Sequence, residues 1–175
     1  MRACGLREVG RYERQAELEG VWRDVVIFER RIPENERARA RVLFACVHNA
    51  GRSQMAAALF NASANPLKAI ATSAGTQPAE AVHPEVATVL REIGLDVSSA
   101  VPQKLTPELA QGTHTLVTMG CGEECPVVPG ARRLDWPLPD PKGRPLGEVR
   151  ALRDDLQARV DALVRESGWA RPRFA

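Results

Sequence analysis

Aromatic residues make up only 5% of this 175-residue chain, too few for a surface that stacks nucleobases. Neither sign of charge is in excess. Lys and Arg number 24 against 22 Asp and Glu, a formal net charge of +2, which argues against nucleic acid or an anionic membrane as the main partner. No apolar run approaches the ~20 residues needed to span a bilayer. The opening MRACGLREVGRYERQ lacks the apolar stretch of a secretory signal, so a cytoplasmic protein is expected. Cysteine is scarce: Cys4, Cys46, Cys121 and Cys125. In a reducing compartment such residues are more often free, catalytic or metal-binding than paired structurally. There is no internal repeat and no low-complexity segment. The apolar fraction, 44%, suffices for one domain of ordinary size with an appendage.

The first 40 residues differ from the rest. Arg7 to Arg31 is rich in Arg and Glu, and Leu18, Val21, Trp22, Val25, Val26 and Phe28 recur at roughly helical spacing, which predicts a helix. It ends near Ile32-Pro33, because a residue before proline avoids helical geometry. An apolar stripe of this kind needs burial, either against its own domain or as a dimerisation arm of a homodimer. Residues 1–40 are therefore read as a helical N-terminal extension, 41–168 as the main domain and 169–175 as a C-terminal tail.

Within the main domain, strands alternate with helices. Arg41–Ala45, Ala69–Ala74, Thr113–Met119 and Ala131–Trp136 read as strands. Ser53–Asn61, Pro84–Ile93 with Gly94 just past its end, a short turn from Thr106-Pro107, and Leu146–Glu166 read as helices. Val149, Leu152, Leu156, Val160 and Leu163 share one face of the last helix. The alternation predicts an α/β fold with a four-stranded parallel sheet flanked by helices. In such sheets ligands bind beyond the carboxyl ends of the strands. Cys46, Gly120-Cys121 and the loop after Trp136 all follow strands and are candidates for one shared site.

The segment Cys46-Val47-His48-Asn49-Ala50-Gly51-Arg52-Ser53 carries the main signal, a cysteine and an arginine separated by five residues between strand and helix. A loop that turns tightly into a helix can aim consecutive backbone N–H groups inward as an anion nest, where the helix dipole adds about half a positive charge. Arg52 supplies a planar fork suited to two oxygens of a tetrahedral anion. Together these favour a thiolate at Cys46. Ser53 can donate to that sulfur, Asn49 can brace the loop, and Gly51 permits a backbone shape other residues resist. The bland alternative is a buried structural cysteine and a surface arginine.

This spacing resembles the signature of the low-molecular-weight protein tyrosine phosphatase superfamily, and the resemblance covers about residues 41–167. It implies a low-molecular-weight tyrosine phosphatase-like fold. It also implies that Trp136-Pro137-Leu138-Pro139-Asp140-Pro141 is the acid loop, whose Asp-Pro pair supplies a proton to the departing oxygen. Asp140 is the choice, Asp135 the fallback, and a turn-forming Asp-Pro the bland reading. The segments RVLFACVHNAGRSQMAAALF, SAGTQPAEAVHPEV, VTMGCGEECP and DWPLPDPKG look like arsenate reductases of the phosphatase-like type. Tyrosine phosphatases of this fold show proline after the Arg-Ser pair, where this chain has Gln54. They also show aromatics after the Asp-Pro, where it has Lys142-Gly143. A site without that aromatic wall suits a bare oxyanion: arsenate, with phosphate and sulfate as mimics. A phosphatase of phosphotyrosine or small phosphate esters is the alternative, and a non-enzymatic oxyanion sensor the third reading.

Reducing As(V) to As(III) takes two electrons, which thiols supply by ending as a disulfide. The resemblance implies two routes. In one, Cys121 attacks Cys46, Cys125 attacks Cys121, and thioredoxin reduces the pair. In the other, which the CGEEC spacing resembles, a low-molecular-weight thiol such as mycothiol acts with a glutaredoxin-like partner. Either way a thiol reductant is required and no bound cofactor is expected. Zinc at Cys121 and Cys125 would lack two further close ligands, so no metal site is expected. In some relatives a carboxylate near the start of the first helix helps bind potassium; Ala57 stands at that position. His48 could help hold the anion or face outward, His83 caps or packs, His114 belongs to a strand, and Cys4 reads as a surface thiol.

Overall fold

The computed structural model describes residues 7–18, 21–29, 39–121, 125 and 127–171. The chain divides into two compact units, Met1–Arg37 and Ala38–Ala175.

The helix expected over Arg7–Arg31 is not what forms. The first unit carries two strands, β1 (Arg7–Leu18) and β2 (Val21–Glu29), paired antiparallel with Leu18 opposite Val21 and Tyr12 opposite Val25. Two residues, Glu19-Gly20, separate the innermost pair, the length of a tight hairpin connection. The composition explains the outcome. Val21-Trp22 and Val25-Val26-Ile27-Phe28 are β-branched and aromatic, types that lose side-chain freedom in a helix and fit a pleated surface. Their spacing satisfies both periods, and propensity with the glycine-containing connection selects the strand.

The second unit is built on four parallel strands in the order β4-β3-β5-β6: β3 (Ala40–Cys46), β4 (Ala69–Gly75), β5 (Thr115–Thr118) and β6 (Arg132–Asp135). Four helices connect and cover them: α1 (Arg52–Ser63), α2 (Pro84–Arg91), α3 (Pro107–Ala110) and α4 (Leu146–Glu166). The four-stranded parallel sheet and all four helical segments match the expectation from alternating patterns. Strand alternation along β3 divides the core. Val42, Phe44 and Cys46 join a large cluster with Met55, Phe60, Val89 and Leu156. Leu43 and Ala45 join a smaller one with Leu105, Leu116, Cys121 and Cys125. The five apolar residues expected on one face of α4 are all buried.

The expected tail begins inside this unit. Trp169 packs edge-on against Phe60 with ring centroids 5.9 Å apart, and Ala170 forms a bridge with Ala64. Among the described residues no helix is long and apolar enough to cross a membrane.

Candidate active site

Strand β3 ends at Cys46, and the chain turns through residues 47–51 into α1. Four carbonyls of this turn are taken by the segment following β4. Those of Cys46, Val47, His48 and Ala50 accept from the N–H groups of Thr76, Gln77, Ala79 and His83 at 3.2, 2.9, 2.9 and 2.8 Å. With four carbonyls committed to that segment, the turn has its N–H groups left for another partner. Those of His48, Asn49, Ala50 and Gly51 meet no acceptor among the described residues. That is the geometry of an anion nest at a helix N-terminus.

The nest is locked from within by Asn49, which is fully buried and held at φ 48°, a left-handed conformation asparagine tolerates better than most residues. Its amide nitrogen donates to Ser53 Oγ at 2.8 Å, and its oxygen accepts from Gln103 N at 2.8 Å and Gln54 Nε2 at 3.3 Å. Ser53 Oγ lies 3.0 Å from Cys46 Sγ. Because Ser53 accepts from Asn49, its own proton is available to the sulfur, and a thiolate there would require it. The helix cap is Gly51, with α1 starting at Arg52; Ser53 turns toward the cysteine and does not cap. Two glycines allow the close approaches. A Cβ at Gly75 would sit 2.5 Å from the Val47 carbonyl oxygen, and one at Gly51 would sit 2.5 Å from Pro141 Cγ.

Across the nest lies the loop that follows β6. Arg52, 8% exposed, donates Nη1 to the Leu138 carbonyl at 3.1 Å and Nη2 to Asp140 Oδ2 at 2.8 Å. Asp140 is thus the carboxylate that meets Arg52. Asp135 instead accepts from the Thr118 hydroxyl at 2.8 Å at the end of β6. His48 Nδ1 is buried without a hydrogen-bond partner and faces Asp140 Oδ2 at 3.9 Å. The sequence leads one to expect His83 as a cap or packing residue. It heads α2 and lies in the field of Asp140, Glu85, Lys142 and His48; burial, the largest influence, pushes its imidazole below the ordinary value. Gln103 and residues 76–83 were also missed as parts of the site. Only the glycine ending β4 hinted at a close approach there.

Cys121 and Cys125 are joined in a disulfide with Cα atoms 5.6 Å apart, while Cys46 is free. Both paired cysteines are buried, 5% and 3% exposed, in the smaller core cluster. Cys121 Sγ lies 3.9 Å from the carbonyl oxygen of Ala45, the residue before Cys46. A groove of about 500 Å³ lined by Pro107, Ala110, Val127 and Val128 adjoins this cluster rather than the nest. Among the described residues no group of three or more His, Cys, Asp or Glu could hold a metal ion. Ala57, at the position considered for a potassium-binding carboxylate, is buried and apolar. His114 accepts from Arg41 N at 3.0 Å beside the sheet. Cys4 lies outside the described residues.

A cysteine at the base of a strand-to-helix turn, opposed by an arginine–carboxylate pair at the strand ends of a parallel sheet, defines an α/β protein with a thiol in its candidate site. Residues 41–168 match the family described as low molecular weight phosphotyrosine protein phosphatase, and the chain belongs to that family. A putative arsenate reductase of Halobacterium salinarum is 36% identical over 128 residues, covering 70% of this chain and 89% of that protein. A glutaredoxin arsenate reductase of Synechocystis is 30% identical over 127 residues, covering 71% and 95%. Among solved structures, a thioredoxin-dependent arsenate reductase of Corynebacterium glutamicum is 38% identical with a TM-score of 0.64, covering 73% of this chain and 61% of that one.

Proposed function

We propose that this protein is a cytoplasmic enzyme that reduces arsenate to arsenite, with Cys46 as nucleophile and the electrons leaving as the Cys121–Cys125 disulfide. The observation that carries the reading is the pairing of thiols: Cys46 is free beneath the nest while the other two are already joined. The names of its relatives support arsenate as the substrate.

Arsenate binds to the N–H groups of residues 47–53, and its oxygens take the Arg52 fork in place of Asp140. The Cys46 thiolate, held by Ser53, attacks arsenic. An As–O bond breaks, and Asp140 gives its proton so that the oxygen leaves as water. Cys121 as thiolate then attacks the Cys46 sulfur. The S–As bond breaks and its electron pair stays on arsenic, releasing As(III) as arsenite. Cys125 attacks Cys121, freeing Cys46 as thiolate and leaving the Cys121–Cys125 disulfide. Because the disulfide sits in the smaller core cluster, Cys121 must leave that pocket to reach Cys46; Gly120, at φ 80°, precedes it. Thioredoxin, a dithiol, then reduces the Cys121–Cys125 disulfide and closes the cycle; in the alternative route a mycothiol-type monothiol attacks in place of Cys121, and a glutaredoxin-like protein reduces the product. What supports the internal route is that Cys121 and Cys125 lie close enough to pair, with Cα atoms 5.6 Å apart, whereas their close spacing in sequence resembles the external-thiol relatives.

Phosphate-ester hydrolysis is the second reading. Cys46, Arg52 and Asp140 would suffice for it without Cys121 or Cys125, and the family's own description is that of a phosphatase. Reduced protein incubated with arsenate and no other reductant separates the readings. One arsenite released per two thiols lost, abolished by Cys46→Ser and by Cys121→Ser, is the expected result. Arsenite appearing only when mycothiol and a glutaredoxin-like protein are added would move the second thiol outside the chain. No arsenite in either case, with para-nitrophenyl phosphate hydrolysed, would replace reduction by phosphatase activity.

A further inference from the structure

The acid loop is held on its inner side by Arg52, through the Leu138 carbonyl and Asp140. Its outer side is held differently. Glu85, in the first turn of α2, accepts a hydrogen bond from the backbone N–H of Gly143 at 2.5 Å. Gly143 sits at φ 69°, inside a tight turn closed by Arg144 N donating to the Pro141 carbonyl at 3.1 Å. Within that turn Lys142 N donates to Asp140 Oδ1 at 3.0 Å, while Oδ2 meets Arg52 at 2.8 Å. The two oxygens of Asp140 therefore have separate partners. With Oδ1 held by the Lys142 N–H, Oδ2 is turned toward Arg52. Pro141 at the head of the turn is buried and Arg144 Nε donates to the Asp140 carbonyl at 2.7 Å, but Lys142, Gly143 and Arg144 are exposed, and the outer edge of the turn is held by Glu85. The ends of the loop are fixed at Trp136, whose N–H reaches Thr118, and at the start of α4.

We infer that Glu85 is a positioning residue for the proton donor: by clamping Gly143 it fixes the turn whose Lys142 N–H orients the Asp140 carboxyl toward the departing oxygen. The inference rests on the reading of Asp140 as that donor. It also gives a purpose to the α2 N-terminus beyond supplying His83 to the carbonyl of Ala50. One helix end then braces both walls of the site, the nest through His83 and the acid loop through Glu85. A carboxylate accepting from a backbone N–H is a charge-assisted bond, stronger than a neutral one. It restrains the loop without entering the anion's own shell.

The test is arsenite formation in a single turnover of the full chain, reduced beforehand and separated from reductant, with sodium arsenate varied. Glu85→Ala is expected to lower the saturating rate about tenfold, a fraction of the ~10²–10⁴-fold that general acid catalysis contributes. The half-saturating arsenate concentration stays unchanged because the nest and Arg52 are intact. Glu85→Gln, whose side-chain oxygen still accepts from Gly143, stays near the wild-type rate. Combined with Asp140→Asn, Glu85→Ala gives no further loss, since a residue that acts through another is silent once the other is gone. A wild-type rate in Glu85→Ala overturns the inference. So does an equal slowing of wild type and Asp140→Asn, or a rate loss that appears only as weaker arsenate binding. If Asp140→Asn itself leaves the rate unchanged, Asp140 is not the donor and the inference falls with it.

Discussion

Asn49→Ala should loosen the oxyanion loop by an amount its contacts allow to be worked out. The side chain is fully buried and joins three partners, Ser53, Gln54 and the backbone N–H of Gln103. Its removal strands the Gln103 N–H; because Gln103 is exposed and that bond only part-buried, the cost is about 1 kcal/mol, the low end of the ~1–3 kcal/mol of a fully buried group. Alanine must also adopt φ near 48°, a left-handed conformation worth ~1–2 kcal/mol against an ordinary side chain. Together the loss is about 2–3 kcal/mol, which at a urea slope of ~2 kcal/mol per M lowers the unfolding midpoint by about 1–1.5 M with the slope unchanged. Asn49→Gly separates the two causes. Glycine relieves the conformational strain but strands the same N–H, at a cost of ~0.5–1 kcal/mol in unfolded-chain entropy. Its midpoint should therefore fall between those of the alanine variant and the wild type. An alanine variant as stable as wild type would refute the hydrogen-bond argument. Equal midpoints for alanine and glycine would refute the strain argument alone.

Three further outcomes follow from the same geometry. Gly51→Ala places a Cβ 2.5 Å from Pro141 Cγ and 3.1 Å from its Cδ. The rigid ring must move and take Asp140 with it, and a shift of that size should cost at least about tenfold in arsenite formation, measured at saturating arsenate. Glu92 joins α2 to α4 by accepting from Arg150 at 2.7 and 2.9 Å, and that bond holds its carboxyl below the ordinary 4.5. A lowered carboxylate stabilises the fold fully above its unfolded value and loses this as pH falls through the folded one. The stability difference between wild type and Glu92→Gln should therefore be flat above pH 4.5 and shrink below it, read by denaturant titration across pH. Trp169→Ala removes a half-buried ring from Phe60 and should cost about 2–3 kcal/mol, below the ~3–5 of a fully buried aromatic, visible as a lower Tm in calorimetry.

How much of this was legible in the sequence depends on how local the cause is. The strand before Cys46, the helix after Gly51 and the sheet order's raw elements are short-range patterns, and they formed where periodicity placed them. The buried face of α4 is likewise written every three or four residues. Asp140 rests on the resemblance of its Asp-Pro segment to the family's acid loop, and the structure brings it rather than Asp135 to Arg52. By contrast, the groups that give the nest its shape are remote. Gln103 lies 54 residues from Asn49, and Glu85 lies 58 from Gly143. Their contacts are single hydrogen bonds between coil or helix-end positions, and no periodic pattern marks such positions.

The hairpin shows the complementary failure, where a local pattern existed but supported two answers. Leu18, Val21, Trp22, Val25, Val26 and Phe28 fit a helical stripe, yet the segments pair as strands with Tyr12 opposite Val25 and Leu18 opposite Val21. Periodicity alone cannot separate these, because a short segment with apolar residues at one, three and four positions fits both periods. What separates them is side-chain chemistry: χ1 crowding in a helix penalises the Val, Ile, Trp and Phe that dominate β2. The same reasoning runs the other way in α1. There Met55, Ala56, Ala57, Ala58 and Leu59 carry almost no β-branching, and the segment is buried on nearly every side, so propensity settles what a weak amphipathic pattern leaves open. Residue type must therefore be weighed before period wherever the apolar set is short or continuous. Here both elements bordering the question, β2 and α1, obey it.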